Sequence, residues 1–175
     1  NNLEWFRKRN EKQSNLEAPI IRKPFFCSGC PHNSSLKVPE GKRALGGIGC
    51  HYMAVDSIES TEFFTQMGGE GTPWIGIAPF SHEKHVFANL GDGTYKHSGI
   101  LAIRASLDAN VNITYKILYN DAVAMTGGQE IGSNWNVEGI VKQVLAEGVK
   151  KVSILSEDPK SCLLYTSPSP RDSYG

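Results

Sequence analysis

The stretch His85–Leu90 with the tripeptide that follows it, HVFANL then Gly91-Asp92-Gly93, decides how the rest of the chain is read. The first six residues carry almost no polar face and read as a short buried strand, which the glycine-flanked aspartate stops. Beyond it, Ser98–Asp108 sets Ile100, Leu101, Ile103 and Leu107 with two alanines at helical spacing, so a helix packed on one side is predicted. Ile113–Tyr119 (ITYKILY) is β-branched and aromatic, a strand again. Val137, Ile140, Val141, Val144, Leu145 and Val149 then recur as one apolar helical stripe, with Asn136 as N-cap and Gly148 as stop. Val152–Leu155 reads as one more short strand. Strand, helix, strand, helix, strand predicts an α/β fold: a mostly parallel sheet with flanking helices and right-handed crossovers.

Working outward, 175 residues suit one domain with short flanks. Lysine plus arginine equals aspartate plus glutamate at 18 each, which argues against a nucleic-acid or membrane-surface partner, both of which call for a basic excess. An apolar fraction of 39% and 18 glycines suit a packed domain with many tight turns. No apolar run approaches the roughly 20 residues of a membrane span.

Residues 1–23 read as a polar connector in which Trp5 and Phe6 start a helix and the basic run Arg7–Lys12 is a solvated face. With Asn1-Asn2 at the start and no signal peptide, the chain is expected to be cut from something longer, incomplete at both ends, and cytoplasmic. From Pro24 to Thr72, Pro31, Pro39, Gly41, Gly46, Gly47 and Gly49 punctuate the sequence, so loops and short elements are expected there. At the other end, Cys162–Asp172 (CLLYTSPSPRD) matches the translation of a common transposase sequencing-library adapter. Residues 161–175 are therefore expected to be an assembly artefact without selected structure, and Cys162 is not counted as functional. The domain proper is expected over residues 24–160.

Asp92 lies just after one predicted strand, and Asn120 just after the next, 28 residues later. One strand-helix-strand unit has about that length. Neighbouring parallel strands lie about 4.8 Å apart, so both side chains should emerge at the same carboxyl edge, where open α/β sheets bind ligands. A carboxylate and an amide oxygen converging there suit a hard cation such as Mg²⁺ shared with substrate phosphates. Gly91 and Gly93, followed by Thr94, let the backbone approach a diphosphate closely. Thr126-Gly127-Gly128-Gln129 adds backbone N–H groups and two polar side chains at the same end. Gly68-Gly69-Glu70-Gly71 is expected to line the pocket by backbone contact, with Glu70 either a pocket carboxylate or a turn residue. Trp74 and Phe80 are expected in the core or pocket wall, and His97 on the helix surface or at a phosphate.

Cys27, Cys30 and Cys50 give C-x2-C-x19-C. From spacing alone, three readings stand open: zinc with His32 or His51 as fourth ligand, a 4Fe–4S cluster, or reduced buried thiols.

G-D-G, a helix, a strand and then asparagine resembles the diphosphate-binding motif of thiamine-diphosphate enzymes. The stretches PFFCSGCPHNSS, GGIGCHYMA, FTQMGGEGTPWIGIAPF, NLGDGTYKHSGILAIRA and NITYKILYNDAVAMTGGQ are similar to the thiamine-diphosphate domain of the long, fused indolepyruvate ferredoxin oxidoreductases, from about Pro24 to Pro159. The resemblance implies the fold of that cofactor's diphosphate-binding domain, with Mg²⁺ on Asp92, Asn120 and the carbonyl of Ala122. Asn120-Asp121 stands where many members have two asparagines, and Lys96 where an aromatic residue is expected. The resemblance favours the 4Fe–4S reading of Cys27, Cys30 and Cys50, with the fourth ligand missing. It further implies oxidative decarboxylation of a 2-oxo acid to an acyl-coenzyme A with electrons to ferredoxin. Pyrimidine-binding and ferredoxin-like domains would lie elsewhere in the enzyme, a homodimer is implied, and this chain alone should be inactive. The competing readings are a zinc-stabilised interaction module and another Mg-diphosphate enzyme domain.

Overall fold

A computed structural model describes residues 2–14, 23–132 and 136–156. The expectation for residues 161–175 lies outside them. The elements are α1 (Asn2–Ser14), α2 (His32–Ser35), β1 (Ala44–Gly46), α3 (Ala54–Ser57), β2 (Thr61–Phe64), α4 (Thr72–Ile77) and β3 (Val86–Gly91). A helix of three pieces follows, here α5: Asp92–Thr94, a π-helical Tyr95–Gly99, and Ile100–Asp108. Then come β4 (Ile113–Leu118), the short β5 (Ala122–Val123) and β6 (Gln129–Glu130), and α6 (Val137–Ala146).

Four strands form one sheet in the order β2-β1-β3-β4, every pairing parallel. The α/β expectation holds, and β3 and β4 stand within a residue of where the periodicity put them. Strand β1 neighbours β2 on one side and β3 on the other, so the chain reverses its winding direction between β1 and β3. A crevice opens outside the carboxyl ends of strands at such a switch.

Val86, Ala88 and Leu90 alternate along β3 and are fully buried on one face. Leu90 packs with Tyr95 and Ile103 of α5 and Ile140 and Val144 of α6; Val86 and Ala88 pack with Leu45 and Trp74. The α6 boundaries follow the caps read from sequence: Asn136 accepts the Gly139 N–H at 2.8 Å, and Gly148 takes a left-handed φ of 99° just beyond the end.

Three expectations are corrected. Val152–Leu155 forms no strand; it pairs with none of the described strands, and Val152 serves by packing against the α5–α6 cluster. The helix after G-D-G begins at Asp92, not Ser98: Gly91 is its extended N-cap, and Gly93 already lies within the first turn. Phe80 is 89% exposed, since the turn Ala78–Phe80 directs it outward, whereas Trp74 is core and donates from Nε1 to the Asn112 carbonyl at 3.0 Å. No helix among the described residues is long and apolar enough to cross a membrane.

Candidate functional site

The carboxyl ends of β1, β3 and β4 feed three loops into one cleft of about 410 Å³, part of it open to solvent. Gly49, Cys50 and His51 line it from the loop after β1. Gly91–Thr94 do so after β3, and Asn120 and residues 122–125 after β4. The start of α5 lies at the cleft, and the positive end of a helix favours an anion.

Asp92 is the hub. It is 2% exposed, and its carboxylate accepts three backbone N–H bonds: Gly93 on Oδ1 at 2.8 Å, Asn120 on Oδ2 at 2.8 Å and Asp121 on Oδ2 at 2.7 Å. The two motifs, distant in sequence, are thus bonded to each other. A carboxylate offers about four lone pairs, so three bonds leave one, on Oδ1. Asn120 Oδ1 accepts the Ala122 N–H at 3.3 Å and keeps a second lone pair. Two oxygen donors with spare capacity in one cleft fit a hard cation. Asp121, the departure from the paired asparagines, sits at φ 56°, a left-handed position that Asp and Asn tolerate alike. Lys96, the other departure, reaches the Ile131 carbonyl.

Not every expected residue arrives at the cleft. Thr126–Gln129 turn β5 into β6, and Thr126 Oγ1 donates to Gln129 Oε1 at 2.6 Å, away from the lining. Gly68–Gly71 do not line the cleft either. Glu70 is fully buried and accepts the Gly68 N–H on Oε2 at 2.7 Å; burial raises its pKa against the opposing pull of backbone N–H groups, Gly68 and Ile48 among them. Tyr115 donates to the Glu70 carbonyl at 2.9 Å and so ties this loop to β4. His97 is exposed and bonded to Ser98.

Cys50 lines the cleft, while Cys27 and Cys30 form a separate turn, closed by a Cys30 N–H bond to the Cys27 carbonyl at 3.0 Å. Among the described residues no three His, Cys, Asp or Glu side chains gather as a metal-binding group, the three cysteines included.

His32 and His51, read from sequence only as optional zinc ligands, both line the cleft. His51 is 3% exposed, and burial, reinforced by the neighbouring His32, lowers its pKa to about 4. The unfolded chain's imidazole takes a proton near pH 6.5, which the native ring refuses until about pH 4. Stability should therefore be intact above pH 6.5 and fall through that window by on the order of 3 kcal/mol. Thermal melts from pH 7 to 4, beside an NMR titration of His51, check this; a His51 midpoint near 6.5 would refute it.

The matching family model is "Thiamine pyrophosphate enzyme, C-terminal TPP binding domain", over residues 47–153, and the chain belongs to that family. The cleft accordingly belongs to a domain type that binds thiamine diphosphate. Among individual relatives, the chain is similar to proteins named "Indolepyruvate oxidoreductase subunit IorA". That of Thermococcus kodakarensis is 27% identical over 81% of this chain and 25% of the relative. That of Archaeoglobus fulgidus is 29% identical over 75% and 24%, and that of Pyrococcus abyssi 26% identical over 86% and 26%. The chain thus spans about a quarter of the length of these relatives. No solved structure matches it.

Proposed function

We propose that this chain holds the diphosphate end of thiamine diphosphate in a 2-oxoacid, indolepyruvate-type ferredoxin oxidoreductase. The observation that carries the reading is the Asp92 carboxylate bonded to the amides of Asn120 and Asp121, with a lone pair left over the cleft. Asp92 and Asn120, with the carbonyl of Ala122, would hold Mg²⁺, and the N-terminal end of α5 would face the diphosphate. When bound, the cofactor supplies the carbanion chemistry that decarboxylates a 2-oxo acid. The chain's own contribution is grip and orientation: Asp92 locks the two loops together, Tyr115 braces the loop that carries Glu70, and the Cys50–His51 turn walls the side.

The names of the relatives support indolepyruvate as substrate. Coenzyme A, ferredoxin, a homodimer, a cytoplasmic setting and pyrimidine-binding and ferredoxin-like domains beyond residues 24–160 belong to the same proposal. So does an iron–sulfur centre on Cys27, Cys30 and Cys50, supported by the resemblance of the motif rather than by their present spacing.

Calorimetric titration of the full chain with thiamine diphosphate tests the core of this. Binding should require Mg²⁺ and weaken at least tenfold when the metal is chelated. Equal affinity with and without Mg²⁺, or none at all, would overturn it. Anaerobic reconstitution followed by iron and sulfide analysis tests the cysteines; one zinc and no iron would favour the zinc-stabilised module.

A further inference from the structure

His51 is held in a cradle made of absent side chains. A Cβ on Gly49 would lie 2.5 Å from its Cε1 and 2.7 Å from its Nδ1, one on Gly47 2.7 Å from its Nε2, and one on Gly91 3.2 Å from its Cε1. Gly91 directly precedes Asp92, so the ring lies against the loop that carries the hub carboxylate. Despite near-complete burial, Nε2 has no hydrogen-bond partner, and neither has Nδ1 of His32, whose ring stands edge-on to His51 at 6.0 Å between centroids. The fully buried Asn89 amide, on β3 beneath the same loop, is unpartnered on both atoms. The absent Gly47 Cβ would meet the Asn89 backbone carbonyl and His51 Nε2 together, so the ring's inner nitrogen lies close to the β3 backbone.

Buried polar atoms in folded proteins are completed by a partner, and orphans next to a cleft are completed by what enters it. A neutral imidazole always has one N–H to give. We propose that His51 and His32 form an imidazole subsite of this cleft that donates hydrogen bonds to an anionic oxygen of the ligand, of phosphate or carboxylate type. The unpartnered Nε2 of His51 and Nδ1 of His32 are the ring atoms the ligand would complete. The inference rests on reading the cleft as an anion site, and deepens the cofactor proposal by adding neutral donors to the metal-facing oxygens.

The test is a titration of the full chain, ¹⁵N-labelled in its histidine rings, with inorganic diphosphate and separately with pyruvate, Mg²⁺ present in both. Ring-nitrogen shifts of His51 and His32 should saturate with the affinity measured by calorimetry, and the ligand that produces them identifies the oxygen. His32→Leu, at a half-buried ring, should weaken that ligand at least tenfold, and His32→Gln less than threefold. Silent rings at saturation with both ligands, or His32→Leu within twofold of the parent chain, overturn the subsite. If diphosphate still binds through Asp92 while the rings stay silent, the cofactor reading survives alone. If pyruvate moves the rings and diphosphate does not bind, the subsite survives and the cofactor reading falls. No binding of either ligand removes both.

Discussion

Asp92→Ala is expected to abolish Mg²⁺-dependent binding of thiamine diphosphate, by at least a hundredfold in affinity, and to destabilise the chain by roughly 3–6 kcal/mol. The second figure follows from hydrogen bonds. The Gly93, Asn120 and Asp121 amides would lose their acceptor together; a buried unsatisfied donor costs about 1–3 kcal/mol, and these three part-buried ones belong in the lower half of that range, at about 1–2 kcal/mol each. Against a typical total of about 5–15 kcal/mol this is a large fraction, and a thermal midpoint lower by about 10–20 °C is expected by circular dichroism. Asp92→Asn separates the two roles. Its amide oxygen can still serve the Asn120 and Asp121 N–H groups, so much of the stability returns. The amide nitrogen facing Gly93 offers no lone pair to a cation, so affinity should not recover. Parent-like affinity in either variant would detach Asp92 from the metal.

Gly47→Ala should be nearly as damaging, for a steric reason. The new methyl would sit 2.2 Å from the Asn89 carbonyl oxygen and 3.1 Å from its carbon, both backbone atoms of a central strand that cannot step aside. Forced overpacking commonly costs about 1–3 kcal/mol, and a collision with strand backbone belongs at or above the top of that range. The β1 loop would lift, carrying Cys50 and His51 out of the cleft. Gly76→Ala is the matched control: nothing lies within 4 Å of its Cβ position, and as a helix-interior glycine it should gain about 0.5–1 kcal/mol. Equal melting of the two variants would refute the steric account.

The parts of the fold legible from sequence are those with their own periodicity. The α6 stripe and its Asn136 cap announce themselves, as do β3 and β4, whose residues are mostly β-branched, aromatic or apolar, with Asn89 and Lys116 the polar exceptions. Strands β1 and β2 do not, being three and four residues long and stabilised by neighbours rather than propensity. Yet β1 creates the winding switch that makes the cleft, so the meeting of Asp92 with Asn120 was readable while the third wall was not. His51 was missed as cleft lining for the same reason: its sole local signal is the glycine run around it, whose meaning depends on which strand passes beneath. Glu70 was placed near the pocket, but the pull of backbone amides turned its carboxyl inward.

The π-helical segment Tyr95–Gly99 bears on how α5 serves two masters. Bonding i to i+5 inserts one residue beyond an ordinary turn, and each α-helical residue advances the azimuth by about 100°. The helix is therefore re-indexed midway, like a screw whose thread skips once. Its first three residues meet the cleft end-on, and Ile103 and Ser106 further along are buried. A one-residue deletion in this segment would thus look like a repair to the helix while misaiming Asp92 relative to everything the helix rests on.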